Sequence, residues 1–316
     1  TSSTVLFTAL KDFGCEHVEV ILPNRFIDGY GMKDGAIEEI VARGINLVIT
    51  VDNGSGSGET IAKLKERGID TIVTDHHEIP HKPEEAVAVI NPRLPGEKYG
   101  LRMAGVGVAF TLARALNAQK NGGKCDGQEK WLLDLVTLGT ICDSMVLRDE
   151  NRIFTYYGLK VFPKTRRRGI KELAQRAGVK LDEMNGRSIG FQLGPRINAA
   201  GRMETGRIAV ELLTATDVAT ANRIGAEINE HNNERKNIDR RITQEALEMV
   251  ESGSCLSSGK ATIVYNPQWH KGVVGIVASR LVEAYYKPTI VFTKSQGGLV
   301  TGSARSVHCF DLYGAI

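Results

Sequence analysis

The stretch Asn46-Leu47-Val48-Ile49-Thr50-Val51-Asp52-Asn53-Gly54 decides how this chain folds. Five side chains suited to strands run without polar alternation, as in a strand covered on both faces of a sheet. They stop at an aspartate and a glycine-rich turn. The pattern returns about one strand–helix–strand repeat later, where Thr71-Ile72-Val73-Thr74 runs straight into Asp75-His76-His77. A helix through Glu59 to Arg67 fits between the two. Upstream, Ser3 to Phe13 reads as a helix, His17 to Leu22 as a strand and Gly35 to Arg43 as a helix. Downstream, the apolar stretch Ala86 to Ile90 ends at the turn signal Asn91-Pro92. The fold class expected is α/β, with an open, mainly parallel sheet.

Further along, Gly105-Val106-Gly107 opens an apolar helical stretch through Ala115, and a polar loop follows from Asn121 to Gly127. Trp131 to Ile141 reads as a second apolar helix that delivers Cys142-Asp143 at its end. Thr214 to Val250 is long, polar and helical, a connecting helix or helix pair, although Asn229 to Asn237 is rich in weak helix formers. A smaller α/β unit follows. Its strands are Ala261 to Tyr265 and Thr289 to Phe292, around a helix Gly275 to Tyr285, and Gly297-Gly298 turns the chain into Leu299 to Thr301. The division expected is a catalytic domain over 1–206, a helical connector over 207–255 and a small domain over 256–316.

Composition narrows the class. The 316 residues are 42% hydrophobic and 24% charged, which excludes a disordered or fibrous chain. No run approaches the roughly 18 apolar residues of a membrane span. The opening Thr1-Ser2-Ser3-Thr4-Val5-Leu6 lacks the basic region of a signal peptide. Cys15, Cys125, Cys142, Cys255 and Cys309 are scattered and form no Cys-x-x-Cys pair, so reduced thiols and a cytoplasmic setting are expected. A net charge of +3, from 40 basic and 37 acidic side chains, identifies no nucleic-acid surface by itself.

The chemistry concentrates where the strands end. In a parallel sheet the carboxyl ends of the strands open into the ligand crevice, and Asp52 and the Asp75-His76-His77 run both stand there. Asp143, after its own apolar segment, completes a candidate cluster. Carboxylates combined with neutral imidazoles suit Mn²⁺, Mg²⁺ or Zn²⁺, and the imidazole favours Mn²⁺ over Mg²⁺. The competing reading is that Asp52 and Asp75 cap the helices after them. In the small unit, Gly302-Ser303-Ala304-Arg305-Ser306 joins hydroxyls to a guanidinium suited to phosphate. The run from His270 to Arg280 places glycines and a basic residue around a helix start. Each of these also reads as a turn with a surface arginine. The basic cluster Lys164 to Arg168 reads first as a solvated loop, with a DNA contact the lesser alternative.

These segments together resemble the DHH phosphoesterase superfamily, and within it the bacterial exonucleases specific for single strands. The resemblance is carried by Val51-Asp52-Asn53-Gly54, Thr74-Asp75-His76-His77 and Leu138-Gly139-Thr140-Ile141-Cys142-Asp143. It continues through Gly194-Pro195-Arg196-Ile197-Asn198-Ala199-Ala200-Gly201-Arg202-Met203, the segment from Trp269 to Arg280, and Gly302-Ser303-Ala304-Arg305-Ser306. It implies two divalent metal ions, Mn²⁺ preferred and Mg²⁺ the alternative. Asp52 would bridge them, His76 and Asp143 would be ligands of one, Asp75 would support the site and His77 would meet the substrate phosphate. Arg196, Asn198, His270, Arg280, Ser303, Arg305 and Ser306 would bind substrate, and the small domain would be of the nucleic-acid-binding kind that accompanies this family.

The activity implied is 5′→3′ hydrolysis of single-stranded DNA in repair and recombination. The partners implied are the DNA strand and a helicase or single-strand-binding protein, with no membrane and a monomeric chain. An enzyme of short oligonucleotides, cyclic dinucleotides or nucleotide bisphosphates is the main alternative, and a non-catalytic binding module is another. The family also carries an Asp-x-Asp cluster before the segment resembling Thr1-Ser2-Ser3-Thr4 and a Gly-Gly-His motif beyond the position of Ile316. A strand with that cluster upstream, and the rest of the small domain downstream, are therefore expected in the parent coding sequence.

Overall fold

The computed structural model describes residues 1–22, 32–79, 81–97, 102–203, 205–254, 259–295 and 298–316. Cys255 and Gly297, both singled out above, lie outside them. Two compact units are present, Thr1–Asn229 and Glu230–Ile316.

The first unit begins with α1 (Ser2–Phe13) and α2 (Asp34–Ala42), then β1 (Leu47–Val51), α3 (Gly58–Glu66), β2 (Asp70–Thr74) and β3 (Ala88–Ile90). The strands pair in parallel in the order β1-β2-β3, with Val51 opposite Thr74 and Thr74 opposite Ile90. That register is what the site depends on, because it aligns the residues that follow each strand along one edge. Ile61 and Leu64 of α3 are fully buried, each contributing about 1.5–3 kcal/mol of hydrophobic stabilisation.

His17 to Leu22, expected as a strand, forms no ladder and is not one. An extended segment becomes a strand only through a hydrogen-bonded neighbour, and local sequence carries no information about that neighbour.

The remainder of the first unit is helical. It runs through α4 (Gly105–Lys120), α5 (Leu133–Cys142), α6 (Asp149–Val161), α7 (Arg168–Ala177) and the short α8 (Gly186–Ser188). A π-turn (Ile189–Leu193) leads into α9 (Gly194–Met203) and α10 (Arg207–Thr214), and α11 (Val218–Glu251) follows. Leu135, Val136 and Leu138 are wholly buried, so α5 is the central helix of this layer, apolar all round as such a helix must be. Phe110 and Phe154 meet edge-to-face at 5.1 Å between α4 and α6. Asp134, 1% exposed at the start of α5, accepts from Thr165 Oγ1 at 2.6 Å and Arg167 Nε at 3.2 Å. Of the basic cluster, Arg167 therefore serves this buried pair, Arg168 donates to the Thr216 carbonyl at 3.2 Å, and Arg166 stacks on Trp131 at 4.1 Å.

The region expected as a helix or helix pair is one helix, the 34-residue α11. Its weak section stays helical because packing overrides propensity: Asn232 is fully buried there and accepts from Arg235 at 3.2 Å. In the second unit β4 (Thr262–Tyr265) pairs in parallel with β5 (Thr289–Lys294) across α12 (Val274–Tyr285). β6 (Val300–Arg305) pairs antiparallel with β5, and the short α13 (Leu312–Ala315) follows. Its core joins Val264, Val277, Leu281 and Val291 to Ile242 and Ala246 of α11. Among the described residues no helix is long and apolar enough to cross a membrane.

Candidate metal centre

Asp52 and Asp75 occupy equivalent places just after β1 and β2, and the backbone ladder carries on into both. Asp52 N–H donates to the Thr74 carbonyl at 2.9 Å, and Asp75 N–H to the Ile90 carbonyl at 3.1 Å. Neither aspartate caps a helix, since the residue preceding α3 is Ser57 and Asp75 is followed by non-helical chain. The capping alternative is thereby removed.

Asp52 has left-handed backbone geometry, φ 63°, which costs a non-glycine residue about 1–3 kcal/mol and persists only where its surroundings hold it. Those surroundings are visible. Thr50 Oγ1 donates to the Asn53 carbonyl at 2.8 Å, and Asn53 Nδ2 donates to the Val51 carbonyl at 3.1 Å. Ser2 Oγ of α1 donates to Asp52 Oδ2 at 3.3 Å. On the other side the carboxylate lies against the first turn of α4, at Gly105. A Cβ at Gly105 would fall 2.0 Å from Asp52 Oδ1, so only glycine leaves room for the carboxylate there.

Three candidate ligands converge around His76, which is 8% exposed. Its Nε2 lies 3.2 Å from Asp52 Oδ1 and 3.7 Å from Asp143 Oδ2 at the end of α5. Burial pulls the imidazole toward neutrality, but Asp52, Asp143 and Asp75 outweigh it and raise its pKa. Burial raises the pKa of Asp143, helped by repulsion from Asp52 and opposed by His76. Ligand atoms of Asp52, His76 and His77 all lie within 4.8 Å of one another. Two carboxylates gathered on one imidazole fit a divalent cation.

Asp75 does a different job. At 1% exposure it accepts from Ser55 N–H at 3.0 Å, His76 N–H at 2.8 Å and His77 N–H at 3.3 Å, and pairs with His77 Nδ1 at 2.7 Å. Burial pushes this carboxyl up, yet the bonds from Ser55, His77 and His76 prevail and hold it below the usual range. Asp75 thus orients the loop, and His77 projects into solvent with its side chain 61% exposed.

Two supporting residues escaped the sequence reading. Asn91, taken only as a turn signal, donates to Ser55 Oγ at 2.9 Å and to the His77 carbonyl at 3.0 Å. Arg93 beside it donates to the His76 carbonyl at 2.8 Å and pairs with Glu78. The available signal was the place of Asn91 directly after the third strand. Gly105 was read as a helix start, and its clearance for Asp52 has no sequence signature.

The structure does not gather every candidate substrate residue at this centre. Arg196 spends its guanidinium on Asn229 Oδ1 at 3.0 Å, the Arg176 carbonyl at 3.0 Å and the Gln192 carbonyl at 2.6 Å, whereas Asn198 is exposed. In the second unit Arg280 pairs with the buried Asp239 at 2.7 Å. Ser303 and Arg305 lie beside Gly275 in the first turn of α12, and Arg305 Nε donates to Ser279 Oγ at 3.2 Å. A helix start with a guanidinium and hydroxyls is suited to anions. Ser306 Oγ donates to the Phe310 carbonyl at 2.6 Å. His270 Nδ1 accepts from Gly272 N–H at 3.2 Å, and burial lowers its pKa against the opposing charge of Glu234.

Residues 1–140 match the model of the DHH family, N-terminal domain. The chain is 40% identical over 315 residues to the single-stranded-DNA-specific exonuclease RecJ of Bacillus subtilis, covering 99% of this chain and 39% of that protein. It is 38% identical to RecJ of Haemophilus influenzae, covering 98% of this chain and 55% of that protein. It superposes on a crystal structure of the exonuclease RecJ bound to manganese with a TM-score of 0.84 and 29% identity, covering 99% of this chain and 76% of the other. The chain thus spans about half the length, or less, of these two curated relatives. In the matched domain over residues 1–140, in sequence over nearly its whole length and in fold, the chain is similar to the DHH family and, within it, to the RecJ exonucleases.

Proposed function

We propose that this chain carries the catalytic centre of a 5′→3′ exonuclease specific for single-stranded DNA, acting with two divalent cations, Mn²⁺ before Mg²⁺. The observation that carries the reading is His76 Nε2 facing both Asp52 and Asp143 at the edge of the parallel sheet. Asp52 would bridge the cations, and His76 and Asp143 would hold one of them. Such ions supply positive charge to a phosphoryl oxygen and acidify water. The chain's own residues supply the geometry. Asp75 accepts from His77 Nδ1 and so leaves Nε2, across the ring, to meet the substrate phosphate. Asn91 and Arg93 fix the carbonyls of His77 and His76, so the loop is held before substrate arrives. Arg280, Ser303 and Arg305 would follow the DNA backbone as phosphate contacts, with Ser306 and His270 beside them, and Asn198 offers an exposed amide to the strand. Arg196, fully engaged, would act by holding its turn in place.

The relatives named for single-stranded-DNA exonuclease activity support this substrate, and repair and recombination are the processes the chain would serve. Free Cys15, Cys125, Cys142 and Cys309 suit a cytoplasmic protein. A helicase or single-strand-binding protein would present the strand to a monomeric enzyme. The test is digestion of one oligonucleotide labelled at either end, single-stranded or in duplex, beside a cyclic dinucleotide. Mononucleotides released from the 5′ end of the single strand, with Mn²⁺ and not with a chelator, are expected. Asp52→Ala should abolish that release. Chelator-resistant cleavage, or a preference for the cyclic dinucleotide, would overturn the proposal.

A further inference from the structure

We propose that Phe191 is a stacking platform for an unpaired nucleobase at the rim of the Asp52–His76–Asp143 cluster. The inference rests on the exonuclease reading and adds a residue that selects single strands. Phe191 is 79% exposed, although Ile189 and Leu193, its neighbours two positions away on either side, are fully buried. The three share the π-turn Ile189–Leu193, and such insertions alter helical register and recur at functional sites.

The place of that turn gives the phenylalanine its meaning. A Cβ at Gly190 would stand 3.5 Å from Ile141 Cγ2, and one at Gly194 would stand 2.5 Å from Cys142 Sγ. The turn therefore rests on the last residues of α5, and the next residue in the chain is Asp143, which faces His76. Arg196 makes the turn rigid. Its Nη1 donates to the Gln192 carbonyl at 2.6 Å, while Nη2 holds the Arg176 carbonyl and Nε holds Asn229. An apolar ring on a braced turn that packs against the helix end leading to Asp143 is prepared to receive a flat apolar face. A nucleobase offers one whatever its identity, so stacking tolerates any sequence, and a base already stacked and paired in a duplex is not available for it.

The test is a binding cycle with single-stranded oligonucleotides carrying one abasic nucleotide, stepped inward from the 5′ end. Affinity is read by fluorescence anisotropy with Ca²⁺ replacing the catalytic metal, for the wild type, Phe191→Ala and Phe191→Tyr. One abasic position should weaken the wild type about tenfold, and Phe191→Ala should weaken binding to intact DNA by about the same factor. Combined, the two changes should cost no more than either alone, and Phe191→Tyr should bind as the wild type does. If Phe191→Ala binds intact DNA normally, or its loss multiplies with the abasic loss at every position, Phe191 stacks on no base. Stacking is equally refuted if no abasic position weakens the wild type. A wild type that leaves single-stranded DNA undigested in Mn²⁺ sinks the exonuclease reading, whereas one that digests it while the cycle multiplies sinks only this inference.

Discussion

Replacing Gly105 by alanine should weaken divalent-cation binding without unfolding the protein. The added Cβ would stand 2.0 Å from Asp52 Oδ1, 2.4 Å from its Cγ and 2.9 Å from its Cβ, so the aspartate or the helix start must shift. Asp52 has little freedom to yield, because its backbone is already left-handed and tied to Thr74, and Ser2 holds its other oxygen. Overpacking of this kind costs about 1–3 kcal/mol. Alanine in place of glycine within a helix returns up to about 1 kcal/mol. Global stability should therefore fall by no more than about 3 kcal/mol. If Asp52 bridges the cations, the displaced carboxylate appears mainly in metal affinity, as a loss of about 10-fold to 100-fold, the range typical for residues that orient a ligand. Calorimetric titration with Mn²⁺ reads the affinity, and urea unfolding without metal reads the stability. Unchanged Mn²⁺ affinity in a folded variant would refute the reasoning.

Three further outcomes follow from the same geometry. Asp75 has a depressed folded pKa, so the stability it contributes is present above the unfolded carboxylate value of about 4 and is lost as pH falls through the lower folded value. Asp75→Asn should flatten the acid limb of a plot of urea midpoint against pH, and an unchanged limb would deny Asp75 that role. Asp134→Ala should destabilise the first unit by about 3–5 kcal/mol, because Arg167 is left without its buried partner; a loss below about 1 kcal/mol in urea unfolding would contradict this. Arg305→Ala should lower the salt dependence of single-strand binding by about 0.7 in the log–log slope, one phosphate contact. An unchanged slope would place Arg305 away from the DNA.

What the sequence disclosed and withheld divides along physical lines. Leu47 to Val51 and Thr71 to Thr74 were legible as strands because both are unbroken apolar or β-branched runs, and both appear within a residue of expectation. β1 is nevertheless not covered on both faces as expected, since Leu47 is 44% exposed and only Thr50 is buried. The alignment of Asp52 with Asp75 followed, since strands joined by one helix place their carboxyl ends side by side. His17 to Leu22 misled because strand identity belongs to the pair and not to the segment. Asn229 to Asn237 looked like a poor helix, yet Asn232 finds its place through tertiary packing that propensity ignores. Arg196 was legible as a motif residue, but its partners Gln192, Arg176 and Asn229 lie on the π-turn, α7 and α11, and they meet only when those elements pack. Gly105 and Asn91 act on residues distant in sequence, so their parts emerge only when the elements meet.

The most direct test of the metal centre is an anomalous difference map from crystals of the protein grown with Mn²⁺. A peak is expected within coordination distance of Asp52, His76 and Asp143, close enough to displace the 3.2 Å contact between His76 Nε2 and Asp52 Oδ1. A fully occupied Mn²⁺ peak elsewhere, with His76 still paired to Asp52 in a protein that digests single-stranded DNA, would contradict it.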